Sequence, residues 1–448
     1  MVLLGIPFDN VTTAQAVERI EQMVASRQPH YLATANVDFL VQALRDVELH
    51  RILTEAHLVL CDGMPLVWAS RLMGNPLAER VAGSDLVPLL IEVAARKNYR
   101  VFFLGASAQS AESCCARLRE RYPSLIIAGH YSPPFAPLLE MNHEEICRQI
   151  KEARPDLLFV SFGCPKQEKW IAMHYRTLGV PVVAGVGATI DFLAGQSRRA
   201  PMWMRKSGLE WLHRLAQEPR RLAGRYARGL TVFSRAIFQQ WWRMRFRQSK
   251  AASKRGLPQP APAGSHYGLL NLAGVDFMDT TGVGILLRLQ KQARAAGRKL
   301  ILVAPSRAVR SALALMRLDG FFLMAADMAA ARRLMQNFEG EQPVRLRPNY
   351  FPSRPSVFWQ GEITAANAEE VWRSTCSQMV ARGKKGSRFL IDVSALKFID
   401  SAGAWLMLRA REIGRRDGLE IVFTGIQPAV RNVLRFARVE SVLLGAAR

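Results

Sequence analysis

Asp62 stands in the run Cys61-Asp62-Gly63-Met64-Pro65, directly after the apolar segment Leu58–Cys61. A carboxylate at the end of a strand can take a proton from an acceptor hydroxyl. The same residue type also caps turns before glycine, so spacing alone leaves both readings open. Other apolar runs end in polar groups in the same way. Thr34 and Asn36 fall in Thr34-Ala35-Asn36-Val37-Asp38, and Gly105 and Ser107 follow Val101–Leu104. Gly163, Pro165, Lys166, Gln167 and Glu168 follow Leu157–Phe162, and Gly185, Gly187 and Asp191 follow Val180–Ala184. Thr34 and Asn36 can line a pocket or form a polar turn. Gly105 and Ser107 can aim backbone amides and a helix N-terminus at a diphosphate, or make an ordinary strand-to-helix turn. Gln167 and Glu168 can bond sugar hydroxyls, or face water in the first turn of a helix. The chain holds no Asp-x-Asp pair. A metal-bridged diphosphate is therefore not expected, nor is any metal or cofactor, and leaving-group charge falls to arginines.

These residues need a scaffold that gathers strand ends. Tyr31–Ala35, Leu58–Cys61, Val101–Leu104, Leu125–Ala128, Leu157–Phe162 and Val180–Ala184 are short apolar runs that read as strands. Most are apolar throughout, as parallel strands covered on both faces must be. Phe39–Thr54, Ser84–Lys97 and Gln109–Tyr122 read as helices between them. The alternation predicts an α/β domain over residues 1–197, with an open, mainly parallel sheet flanked by helices. In such sheets ligands bind beyond the carboxyl ends of the strands, where the polar residues above stand.

Beyond residue 197 the composition changes. Residues 198–250 are rich in Arg and Lys, and the only acidic residues are Glu210 and Glu218. Trp203, Trp211, Tyr226, Phe233, Phe238, Trp241, Trp242 and Phe246 are interleaved with them. The pattern predicts a basic helical appendage whose aromatic face and cationic rim suit an anionic membrane surface. A Pro/Ala/Gly-rich linker occupies 251–265. An internal repeat follows. Phe277-Met278-Asp279-Thr280-Thr281-Gly282 recurs as Phe398-Ile399-Asp400-Ser401-Ala402-Gly403. At the same spacing, Leu300-Ile301-Leu302 answers Ile421-Val422-Phe423, Ala308-Val309-Arg310 answers Ala429-Val430-Arg431, and Leu313 answers Leu434. Two copies of one small α/β module are expected, at 266–340 and 345–448. The first lacks the leading strand and helix of the second, so it is either truncated or borrows a strand.

The formal net charge of +24 over 448 residues predicts attraction to polyanions. No nucleic-acid motif is present, so lipid and phosphorylated substrates are the expected partners. The six cysteines form no Cys-x-x-Cys pair, which fits a reducing cytoplasm better than a zinc site or a disulfide framework. Residues 1–10 lack the basic start and apolar run of a signal peptide, and no run is long enough to span a bilayer. Peripheral attachment at the inner face of the cell membrane is the expected location.

Residues 1 to about 245 resemble the WecG/TagA/CpsF glycosyltransferases, glycosyltransferase family 26. The likeness runs through Gly5-Ile6-Pro7-Phe8-Asp9-Asn10, Thr34-Ala35-Asn36, Cys61-Asp62-Gly63-Met64-Pro65 and Arg80-Val81-Ala82-Gly83-Ser84-Asp85. It continues through Phe103-Leu104-Gly105, Gly163-Cys164-Pro165-Lys166-Gln167-Glu168 and Arg199-Ala200-Pro201. It closes on Gly208-Leu209-Glu210-Trp211 and Arg214 to Arg221. The resemblance implies inverting transfer of an N-acetylmannosamine-type sugar, its uronic acid or another hexose from a UDP-sugar donor. The acceptor it implies is a saccharide on an undecaprenyl-type (polyprenyl) diphosphate. It makes Asp62 the general base and Thr34, Asn36 and Gln167 substrate-pocket residues. Arg80 and Gly105 fall in its blocks as substrate-binding positions. It further implies that arginines of the appendage, with Arg214, Arg221 and Arg225 as candidates, close over the donor diphosphate at the membrane.

The repeated Phe-x-Asp-[Ser/Thr]-x-Gly looks like the STAS domain of anti-sigma-factor antagonists. By that likeness Thr280 and Ser401 hold a position that a partner kinase phosphorylates in regulatory members; the alternative is that they are helix N-caps. Two functions follow from the whole chain. One is a lipid-linked saccharide glycosyltransferase for cell-surface or exopolysaccharide synthesis, with STAS modules regulating or docking it. The other is a STAS-based signalling or scaffold protein with a degenerate transferase domain.

Overall fold

The structure is a computed structural model. It describes residues 1–196, 200–201, 204, 210–217, 219–248, 267–275, 278, 280–296, 298–316, 318, 321–339, 356–383 and 386–444. The proposed linker at 251–265 lies outside these. Two compact units are present: one of residues 1–133, 142–171 and 177–335, the other of 134–141, 172–176 and 336–448.

The first unit opens on a short antiparallel hairpin, β1 (Val2–Leu3) and β2 (Ile6–Pro7). Helix α1 (Thr13–Ser26) then leads to the main sheet. The strands of that sheet are β3 (His30–Ala35), β4 (Leu58–Cys61), β5 (Arg100–Gly105), β6 (Ile126–Tyr131), β7 (Leu157–Ser161) and β8 (Val182–Gly185). They lie in the order β4-β3-β8-β7-β5-β6, all parallel. Each strand read from the sequence is present, within a few residues of its expected ends. Helices α2 (Val37–Ala43), α3 (Val47–Glu55), α4 (Met64–Leu72), α5 (Gly83–Lys97), α6 (Ala108–Arg121), α7 (His143–Ala153), α8 (Lys166–Leu178) and α9 (Thr189–Leu193) fill the connections. Leu58, Leu60, Val101, Phe103, Phe159 and Ala184 lie in a core shared with α1, α5 and α6. The single helix expected over 39–54 is instead two. Asp46 interrupts it by capping α3, its carboxylate accepting from Leu49 N at 3.0 Å, which restarts the backbone in a new direction.

The appendage contributes α10 (Glu210–Gln217) and α11 (Pro219–Gln248). Phe233, Ile237 and Gln240 are the buried face of α11. Gln240 fastens that face to the hairpin, accepting from Leu4 N at 3.0 Å and donating to Val2 O at 3.3 Å. Leu230, Phe238 and Trp242 are exposed. Among the described residues no helix is long and apolar enough to cross a membrane.

The first repeat also belongs to this unit. It consists of β9 (Tyr267–Asn271), α12 (Thr280–Ala295), β10 (Lys299–Val303), α13 (Arg307–Leu315), β11 (Leu323–Ala325) and α14 (Met328–Glu339). Its strands lie parallel in the order β11-β10-β9. Among the described residues it borrows no strand. What it takes from the N-terminal domain is a side chain: Val2 is buried in the module's core with Leu270, Leu286, Leu302, Leu313 and Phe322. Lys291 of α12 donates from Nζ to Ala56 O at 2.6 Å, and burial holds its ammonium below the usual lysine range.

The second repeat forms most of the other unit: β12 (Ser356–Ile363), α15 (Ala368–Arg382), β13 (Arg388–Ile399), α16 (Ser401–Arg416), β14 (Glu420–Thr424), α17 (Pro428–Phe436) and α18 (Glu440–Leu444). Its parallel sheet runs β12-β13-β14 around a core containing Trp359, Phe389, Ile391 and Val393. The helices that start at Thr280 and Ser401, and the strands and helices after them, match element for element at the spacing of the sequence repeat.

Candidate functional site

The expected residues meet at the carboxyl ends of β4, β3, β8, β7 and β5. Asp62 follows β4 and is tied to the neighbouring strand by Asp62 N donating to Ala35 O at 2.9 Å. Its side chain is 28% exposed. It does not cap the helix that follows, because the N-cap of α4 is Gly63, which offers no side-chain bond. The carboxylate instead lies 4.0 Å from Arg80 Nη1. Arg80 is only 14% exposed; its Nη2 donates to Asp85 at 2.7 Å and its Nη1 to Glu210 at 3.1 Å. Thus a residue of α10 reaches the guanidinium beside Asp62.

Thr34 lies near the end of β3, buried, with Oγ1 3.5 Å from Gly185 O at the end of β8. Asn36 caps α2, its Oδ1 accepting from Asp38 N at 3.0 Å and Phe39 N at 3.3 Å. It borders Gly63, where a Cβ would sit 3.9 Å from Asn36 Cβ.

Gly105 ends β5 with φ +92°, and a Cβ there would sit 2.5 Å from Ser161 O on β7. Only glycine lets the two strand ends close this tightly. Ala106 follows in the left-handed region, φ +58°, with its amide donating to Ser161 O at 3.1 Å. A non-glycine residue held there stores of order 1 kcal/mol, a feature common where backbone is shaped around ligands. Ser107 caps α6 by accepting from Ser110 N at 3.0 Å.

Gln167 and Glu168 do not face water, as one reading of the first turn of α8 allowed. They are 2% and 3% exposed. Gln167 Oε1 accepts from Gly163 N at 3.1 Å and Gly187 N at 3.2 Å, and Nε2 donates to Glu168 Oε1 at 2.7 Å. Their burial follows from helical spacing: Trp170 and Ile171 lie three or four residues further on and are buried with them. That spacing was the available signal for Glu168, which burial pushes up to about 7 against hydrogen bonds from Gln167, its own backbone and Cys164. Burial also holds the Cys61 thiol up at about 12 and raises Cys164, so neither is a thiolate nucleophile.

Other expected residues are not placed at this site. Arg214 lies on α10 and Arg221 and Arg225 on α11, but their side chains lie outside the described residues. Thr280 is the first residue of α12, and its side chain is likewise outside them. Ser401 is not an N-cap. Asp400 holds that place, accepting from Ala402 N at 2.9 Å and Gly403 N at 3.1 Å on one oxygen and from Ala365 N at 2.8 Å on the other. Ser401 itself is 3% exposed.

The strand ends of the parallel sheet thus gather a carboxylate, an arginine and glycine turns, and Glu210 of α10 reaches that arginine. Residues 1–247 match the Glycosyl transferase WecG/TagA/CpsF family, and the chain belongs to it. Residues 208–331 match the STAS domain and 353–445 the Mlab STAS domain, so two STAS domains follow the transferase region. Similar proteins include the "N-acetylglucosaminyldiphosphoundecaprenol N-acetyl-beta-D-mannosaminyltransferase" of Staphylococcus aureus strain MW2. It is 32% identical over 222 residues, which is 49% of this chain and 85% of that protein. The protein of the same description from strain NCTC 8325 / PS 47 is 32% identical over 214 residues, 47% of this chain and 82% of its own length. Among solved structures, "Crystal Structure Analysis of Mglu" aligns at 17% identity over 23% of this chain and 27% of its own, with a TM-score of 0.17. That likeness is too slight to bear on the fold.

Proposed function

We propose that this glycosyltransferase moves an N-acetylmannosamine-type hexose from a UDP-sugar to a saccharide carried on undecaprenyl diphosphate, with inversion at the anomeric carbon. The observation that carries the reading is Asp62 at the strand-end crevice beside Arg80, a guanidinium that the appendage also reaches through Glu210. Asp62 takes the proton of the acceptor hydroxyl as that oxygen attacks the anomeric carbon. Arginine charge stabilises the departing UDP, with Arg80 in the crevice and Arg214, Arg221 and Arg225 on the arm. Closure of the arm at the inner membrane face keeps water from the donor. The exposed Leu230, Phe238 and Trp242 support an interfacial role for α11. The relatives' printed names support the acceptor class and the donor sugar. The STAS domains regulate or dock the enzyme, through a kinase or another regulatory protein acting at Thr280 or Ser401. Buried Ser401 would need local opening of the α16 N-terminus before modification.

The test is UDP release with a panel of UDP-sugars and a short-chain lipid-diphosphate saccharide, in the presence of anionic vesicles. Turnover with an N-acetylmannosamine donor is expected. A wild-type protein that turns over none of the donors would reject the enzyme in favour of a STAS-based scaffold.

A further inference from the structure

Behind the crevice lies a buried carboxyl that the reaction above leaves unused. Glu168 Oε1 accepts from Gln167 Nε2 at 2.7 Å, while Glu168 Oε2 has no hydrogen-bond partner. The bond decides which way the Gln167 amide points. With Nε2 turned to Glu168, Gln167 Oε1 meets two backbone donors, Gly163 N and Gly187 N. With the amide flipped, an NH2 would confront two N–H groups, and the two bonds accepted by Oε1 would become opposed. Gly185 of β8 lies close against the pair: a Cβ there would sit 2.8 Å from Gln167 Nε2 and 2.9 Å from Glu168 Oε1.

The two glycines belong to different turns, one after β7 and one after β8. Both have positive φ, +79° and +53°, and a Cβ on either would meet nothing within 4 Å. Their outer faces therefore open onto free space at the strand ends, where bare backbone can approach a ligand closely.

We propose that Glu168 is a positioning residue of the transferase: as a neutral carboxylic acid it orients the Gln167 amide, which ties the Gly163 and Gly187 turns into one wall of the donor crevice. This rests on the reading of that crevice as the UDP-sugar site. The surroundings favour the neutral form. Burial is the largest cause and outweighs the hydrogen bond from the Cys164 thiol on the same turn, which favours the charged form. Lys169, next along α8, is turned to Asp46 and Glu48 at 2.8 and 2.9 Å. Gly185, from β8, lies against Glu168 Oε1 and brings no charge. As pH rises past about 7, a charge develops on Glu168 without a counter-ion and the wall loosens.

The full chain tests this in the vesicle assay with Glu168→Ala and Glu168→Gln. Alanine removes the acceptor for Gln167 Nε2. Glutamine restores it with a side chain that cannot ionise. Glu168→Ala is expected to raise KM for the UDP-sugar about tenfold while kcat changes less than about threefold, the size expected for one buried hydrogen bond. Glu168→Gln is expected to recover most of that loss, and to lack the wild type's decline in kcat/KM as pH rises above about 7. A second readout needs no turnover: the infrared difference between wild type and Glu168→Gln should show a protonated carboxyl stretch near pH 6 that fades by about pH 8. A wild-type KM in Glu168→Ala, an alkaline decline kept by Glu168→Gln, or absence of that band at low pH each overturns the proposal. A wild type inert with every donor would instead overturn the transferase reading, and the infrared band would still report on Glu168.

Discussion

Arg80 Nη1 lies 4.0 Å from Asp62 Oδ1, and the same guanidinium is hydrogen-bonded to Asp85 and Glu210. One cation thus serves three carboxylates drawn from the β4 turn, the first turn of α5 and the appendage. Asp62 is the farthest of the three from the guanidinium.

Asp62→Asn should lower kcat by about 100- to 10,000-fold, the usual range for loss of a general base. The circular dichroism spectrum and melting temperature should not change, since the partly exposed side chain is not a helix cap. Turnover within about threefold of wild type would remove Asp62 from the role.

Arg80→Lys keeps the charge but loses the planar fork that reaches Asp85 and Glu210 together. We expect kcat/KM to drop about 10- to 100-fold, and limited proteolysis within α10 and α11 to quicken. Unchanged cleavage would show that Glu210 does not depend on Arg80 for its place.

Stability should carry a pH signature from Glu168. Its folded-state value, about 7, lies above the ordinary 4.5, so the folded chain holds this proton more tightly than the unfolded chain. The contribution is fully present below about pH 4.5 and is lost as pH rises through about 7, amounting to about 3 kcal/mol at most. Glu168→Gln should flatten the fall in α8 hydrogen-exchange protection across that window. An equal slope in both proteins would show that Glu168 ionises normally.

Gly105→Ala and Gly163→Ala form a paired test of the strand ends. At Gly105 the new methyl meets Ser161 O, whereas at Gly163 it meets open space, although both residues have positive φ. Gly163→Ala should cost about 1 kcal/mol from φ alone, and Gly105→Ala about 1–3 kcal/mol more. Equal melting temperatures for the two would contradict the packing.

Phe238→Ser with Trp242→Ser removes two exposed aromatics from α11 and leaves the buried Phe233 and Ile237 untouched. Sedimentation with anionic vesicles should weaken at least about tenfold, with the fold intact. Undiminished binding would place the lipid contact elsewhere.

Much of this architecture was legible because parallel strands covered on both faces leave an uninterrupted apolar imprint. The crevice residues followed, since polar groups after such strands have one place to go. The two-copy module was legible because Asp400 and its neighbours recur in step with Asp279, and the helices at Thr280 and Ser401 begin accordingly. The break at Asp46 was not, because the apolar spacing of α2 and α3 runs on across it and only a cap bond ends the turn. Glu168 escaped because a glutamate in a first helical turn is ordinarily solvated. Its burial is completed by Gly185 of β8 lying against its carboxyl, and the local trace of it is only the helical spacing to Trp170 and Ile171. The place of Ser401 went to Asp400 for a local reason: a carboxylate one residue earlier already satisfies the free amides.

Val2 completes the core of the first STAS domain, with Leu313 and Phe322 among its partners. During synthesis the hairpin therefore waits for roughly 320 more residues before it is covered, on the order of half a minute at ordinary translation speeds. The nascent transferase region would spend that interval with an apolar flank available to chaperones, and its maturation would be timed by the domain that follows it.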